Sequence, residues 1–222
     1  MISVRSFLLP PVNRREIMRY AGVKTETPEL SALLEEALSE AVPLLAGKAC
    51  WSEFPAAKDG KMLNLGFTGT ASESLQKHLT GCDRIVVFAA TLGLGLDRLI
   101  AKYGLLSPAK MLMLQAIGAE RIEALCDAVC ESIRQEAAGD GRYPVTRFSP
   151  GYDDLPLDVQ TDIFRVLDCS RKIGLTLNGS LLMSPSKSVT AIVGLSPCAG
   201  SNHNNSCSRC GKTDCLYRRT TP

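Results

Sequence analysis

TRFSPGYDDLPLDVQ, residues 146–160, brings an arginine, a serine, a proline, a glycine and a tyrosine into the six positions 147–152. Pro150 fixes its own φ and Gly151 removes side-chain bulk, so the segment reads as a tight turn. Residues 143–148 before it read as a strand. Residues 157–167 after it read as a helix with Ile163, Phe164 and Leu167 facing inward. A strand-to-helix connection accounts for the turn. An arginine and a tyrosine on either side of it also suit a small-molecule site built on that connection.

Working outward, residues 172–196 (KIGLTLNGSLLMSPSKSVTAIVGLS) hold two extended pieces on either side of Pro185. The run RIVVFAA, residues 84–90, is a buried strand by its β-branched content. Gly93 and Gly95 follow it as a tight turn or a phosphate cradle; a third glycine in dinucleotide spacing is missing. Residues 108–138 form the longest helix, with Leu112, Ala116, Ala119, Cys126, Cys130 and Ile133 at helical spacing. Glu123 falls on that same face. A carboxylate there needs solvent, an internal arginine or a ligand. Cys126 and Cys130 read as core thiols. Nearer the start, residues 14–21 form a short helix behind Asn13, and residues 28–45 a longer one with Pro28 at its head. Residues 50–54 and 62–67 read as two strands around a Lys58-Asp59-Gly60 turn, and residues 71–79 as a short helix. Helices and strands mix without a regular βαβ rhythm, which predicts an α+β fold with a largely antiparallel sheet.

The 222 residues are 45% hydrophobic and 22% charged, enough to build a core without disulfides. A net charge of +2 offers no argument for a nucleic-acid partner. No apolar run is long enough to cross a membrane, and the short patch before Pro10 makes a poor signal peptide. The nine cysteines therefore read as thiols or metal ligands in the cytoplasm. Four of them, Cys198, Cys207, Cys210 and Cys215, have the spacing C-x8-C-x2-C-x4-C in a segment of loop formers. A metal would supply the order that such a segment lacks. Four thiolates suit zinc or an iron–sulfur cluster equally, and the basic residues Arg209, Lys212, Arg218 and Arg219 would offset their charge. The alternative is a tail of idle cysteines. The chain divides at about residue 196 into a main domain, 1–196, and a cysteine-rich tail, 197–222.

The motifs at 147–152 and 173–191 resemble those of the activation domain of vitamin B12-dependent methionine synthase. That family has an R-x-x-P-G-Y stretch, matched by Arg147, Pro150, Gly151 and Tyr152. Its second run is matched by Ile173, Gly174, Leu175, Leu177, Ser180, Met183, Pro185, Ser188, Val189 and Ala191. The resemblance implies a helmet-shaped α+β domain with a twisted antiparallel sheet and flanking helices. It implies S-adenosylmethionine as ligand and a part in methionine biosynthesis: the reductive remethylation of cob(II)alamin. The cobalamin would be held by a partner methionine synthase chain, with an electron from a flavodoxin or similar donor. Arg147 would then grip the ligand's carboxylate, and Ser149, Pro150 and Gly151 would bring backbone close to it. Glu123 would meet its ammonium or sulfonium, and Tyr152 would lie near the reacting methyl or the corrin face. After Tyr152 the family continues P-A-C-P-[DE]-H, where this chain has Asp153-Asp154-Leu155-Pro156. Two other functions remain open: a non-enzymatic docking module for a corrinoid protein, and an iron–sulfur reactivator of another corrinoid methyltransferase.

Overall fold

The run RIVVFAAT at residues 84–91 sends its side chains alternately into two different cores. In the computed structural model, which describes residues 1–199, Val86, Phe88 and Ala90 enter one core while Ile85, Val87 and Ala89 enter the other. Strand alternation requires this once helices cover both faces of a sheet. Full burial of Phe88 or Ile85 contributes roughly 1.5–3 kcal/mol each.

The strands are β1 (Ser3–Ser6), β2 (Lys48–Pro55), β3 (Ala57–Asp59), β4 (Met62–Asn64), β5 (Gly69–Thr70), β6 (Arg84–Thr91), β7 (Tyr143–Pro144), β8 (Thr176–Leu177), β9 (Met183–Ser184) and β10 (Ser188–Ser196). The helices are α1 (Arg14–Tyr20), α2 (Pro28–Ala41), α3 (Glu73–His78), α4 (Leu94–Leu106), α5 (Pro108–Gly139), α6 (Val159–Leu167) and α7 (Cys169–Ile173). The main sheet has the order β1-β2-β6-β10-β7 and every neighbouring pair is antiparallel. Helices α1, α2, α4 and α5 cover one face; α6 and α7 cover the other, beside a small sheet of order β3-β4-β5. The α+β expectation holds.

Local chemistry sets the helix boundaries. Asn13 caps α1 by accepting from the Glu16 N–H, and Thr27 caps α2 by accepting from Leu30. Helix α2 stops at Ala41 rather than residue 45, and a 3-10 turn, Val42–Leu44, takes over, because Pro43 has no N–H to continue the ladder. The buried Arg121 of α5 pairs with Glu120 and donates to the carbonyls of Pro10 and Pro11, the latter at 3.0 Å. The Asn13 N–H donates to Glu120 Oε1 at 3.1 Å, so this ion pair fastens the N-terminal segment onto α5.

Three expectations change. The strands around residues 50–54 and 62–64 are not partners. β2 pairs with β1 and β6, while β4 pairs with β3, which takes up Lys58 and Asp59. A turn signal between two strand-like runs shows that strands exist but not which strand lies beside which. On α5, Leu112 is 53% exposed and its neighbours Met113 and Leu114 are buried. Helices on one side and the sheet on the other rotate the buried face away from Leu112. Residues 143–148 form only a two-residue strand, after which Phe148 makes an isolated bridge to Ile192.

The glycine pair after β6 serves packing. Gly93 turns at φ +81°, its N–H held by Thr91 Oγ1 at 3.2 Å. A Cβ on Gly95 would lie 2.6 Å from the Leu44 carbonyl oxygen, so only glycine lets α4 start this close to the preceding chain.

Candidate functional site

Arg147 leaves the sheet edge on the α5 side. Its Nη2 donates to Glu123 Oε2 at 2.6 Å and its Nη1 to Asp127 Oδ1 at 2.6 Å; Cys130 Sγ lies 3.9 Å from Nη1. Glu123 and Asp127 are one helical turn apart, so both face the same incoming guanidinium. The Arg147 side chain is only 19% exposed. Burial opposes its charge, but the neighbouring Asp127 and Glu123 carboxylates outweigh burial and hold its pKa above the ordinary guanidinium value. Burial likewise pushes the Cys126 and Cys130 thiols up, so both remain protonated and unreactive near neutrality. That matches their reading as core thiols.

The next residue turns the other way. Phe148 exchanges two backbone hydrogen bonds with Ile192, at 2.9 and 2.8 Å, and its ring packs against His78 and Tyr152, with centroids 5.1 and 6.4 Å away. Ser149–Tyr152 then forms the expected turn. The Tyr152 N–H donates to the Ser149 carbonyl at 3.2 Å, the Gly151 N–H donates to the Leu155 carbonyl at 2.9 Å, and Leu155 returns a bond to Tyr152 at 2.9 Å. Gly151 has φ +86°, a conformation that side chains resist. Pro150 is buried beneath the turn, whereas Tyr152 is 66% exposed.

Helix α3 clamps both ends of this loop. At its start, the Asp154 carboxylate accepts from the Ser72 hydroxyl at 2.5 Å, the Glu73 N–H at 2.7 Å and the Ser74 N–H at 3.2 Å. These bonds, the Ser72 hydroxyl first among them, hold the Asp154 pKa below the usual aspartate value. At its end, His78 Nε2 donates to the Thr146 carbonyl at 2.6 Å.

The predicted residues thus fall into two groups. Arg147 and Glu123 meet directly. Ser149, Pro150, Gly151 and Tyr152 form the adjoining turn, and the Tyr152 ring packs against Phe148. Cys198 is exposed, and Cys207, Cys210 and Cys215 lie outside the described residues. Among the described residues, no group of three or more histidine, cysteine or acidic side chains is placed to hold a metal ion, and no helix is long and apolar enough to cross a membrane.

Residues 74–212, more than half of the chain, match the family model described as vitamin B12 dependent methionine synthase, activation domain. The chain belongs to that family. The structure is similar to a crystal structure of the MetH reactivation domain bound to AdoHcy, with a TM-score of 0.63 and 18% sequence identity, over 92% of this chain and 80% of that one. That likeness establishes the fold. No curated protein matches the sequence.

Within this activation domain, Asp127, Asp154 and His78 escaped the sequence reading. Asp127 carried a signal, because it lies one turn beyond Glu123 and presents its carboxylate to the same neighbour. Asp154 and His78 carried none, since their partners are distant in sequence. Asp154 also gives physical content to the departure at Asp153-Asp154-Leu155: this stretch fastens the turn to α3 through a carboxylate.

Proposed function

We propose that this activation domain binds S-adenosylmethionine across Arg147, Glu123 and the Ser149–Tyr152 turn. It would present the ligand for reductive remethylation of cob(II)alamin held by a partner chain, with a flavodoxin or similar protein as electron donor. In this role the chain is the reactivating component of a methyltransferase. The observation that carries the reading is one guanidinium gripped by two carboxylates beside a fixed turn.

The donor set fits the ligand. S-adenosylmethionine has one carboxylate, one ammonium and one sulfonium, a net charge of about +1 at neutral pH. Arg147 with Glu123 and Asp127 sums to −1. Arg147 would take the carboxylate, Glu123 the ammonium, and the backbone at Ser149–Gly151 would line the wall. When bound, the ligand supplies a methyl group on a sulfonium whose departure leaves a neutral thioether. The protein's contribution is then mainly positioning. Tyr152, exposed at the rim, would meet the reacting methyl or the partner's corrin face.

Titration calorimetry with S-adenosylmethionine tests the reading. Arg147→Ala should weaken binding by about 1.5–3 kcal/mol, the range for hydrogen bonds to a charged group. Binding no tighter than millimolar in the unaltered protein would sink the proposal. The tail, 197–222, is proposed as a separate unit in which Cys198, Cys207, Cys210 and Cys215 bind zinc or an iron–sulfur cluster. Metal analysis and a visible spectrum after anaerobic purification decide between the two.

A further inference from the structure

Arg147 is held at two points, and the two are unlike. Glu123 holds Nη2 and its side chain is 34% exposed; Asp127 holds Nη1 and its side chain is 61% exposed. The Arg147 Nε has no partner among the described residues. Two tethers on the η nitrogens fix the guanidinium plane and leave the Nε side as its one uncommitted edge. A planar guanidinium uses such an edge to receive a carboxylate. A ligand ammonium that engages Glu123 draws on the same carboxylate that holds Nη2. Asp127 then becomes the tether that keeps the plane from swivelling.

From this geometry we infer that Asp127 is a positioning residue, and that through Arg147 it sets the site's preference for ligands with a free carboxylate. The inference rests on the reading of Arg147 as the ligand's anchor. Asp127 need not touch the ligand. It acts by presenting the Nε edge in one orientation, which lowers the ordering cost of the ligand carboxylate's hydrogen bonds.

The test compares S-adenosylmethionine with its decarboxylated analogue, titrated into the full-length protein and into Asp127→Ala and Asp127→Glu. The unaltered protein should favour the carboxylate-bearing ligand by about tenfold or more. Asp127→Ala should weaken S-adenosylmethionine by about 5–20-fold while leaving the decarboxylated analogue within about twofold, and Asp127→Glu should restore part of the loss. Because Asp127 is largely exposed, the melting temperature should stay unchanged, which separates positioning from folding. Equal losses for both ligands, or an unaltered preference in Asp127→Ala, overturn the inference and leave the site reading standing. If the unaltered protein binds neither ligand, the site reading itself falls, and the inference with it.

Discussion

Asp154 shows how much one carboxylate does here. It accepts from one hydroxyl and two backbone N–H groups at the start of α3, roughly 80 residues away in sequence. Replacing it with alanine should lower the melting temperature by about 2–4 °C, the effect of a lost helix cap in a chain of this size. The pH dependence has a definite sign. The folded-state pKa of Asp154 lies below its unfolded value, so its stabilisation is full above the usual aspartate range and fades as pH falls through the folded pKa. Melting curves of the protein and of Asp154→Ala should therefore converge below about pH 4. A gap that persists in acid would mean that the carboxylate charge is not what holds α3. None of this was legible in Asp153-Asp154-Leu155, which in sequence appears only as a break in a motif. A cap contributed by a distant loop leaves no local pattern.

At the scale of elements, α5 is the organising piece, and its buried Glu120–Arg121 pair is its most demanding feature. Removing one partner strands the other in a water-poor setting. Arg121→Met should cost about 3–5 kcal/mol in urea unfolding, because Glu120 loses its counter-charge and Pro10 and Pro11 lose their donor. A cost below about 1 kcal/mol would show that water reaches the pair. Much of the element map was readable: β6 from its β-branched run, α1 and α2 from Asn13 and Pro28, and α5 from its length. Pairing was not. β2 and β4 both read as strands, and nothing in either sequence says that β2 joins β6. The phase of α5 was also missed at Leu112, since what covers each side of a helix is a tertiary fact. The candidate site follows the same division. Arg147, Glu123 and the Pro150-Gly151 turn stood out by residue type, whereas the ion pairs across 24 and 20 positions did not.

At the scale of the whole molecule, the buried residues of the two cores run, among the described residues, from Ile17 to Leu195. If the tail is the separate unit proposed above, a chain ended after Ala199 should melt within about 2 °C of the full-length protein. A larger drop would assign the tail to the main domain rather than to a unit of its own. The same truncation should remove any bound metal, which elemental analysis reads directly. One consequence of the clamp on residues 146–154 concerns energetics. Both ends of that loop are tied to a single six-residue helix, through His78 at one end and Asp154 at the other. A segment fastened in this way has already given up most of its freedom during folding. A ligand that meets the Ser149–Tyr152 turn then finds a preorganised surface, and little of its binding free energy is spent on freezing the chain.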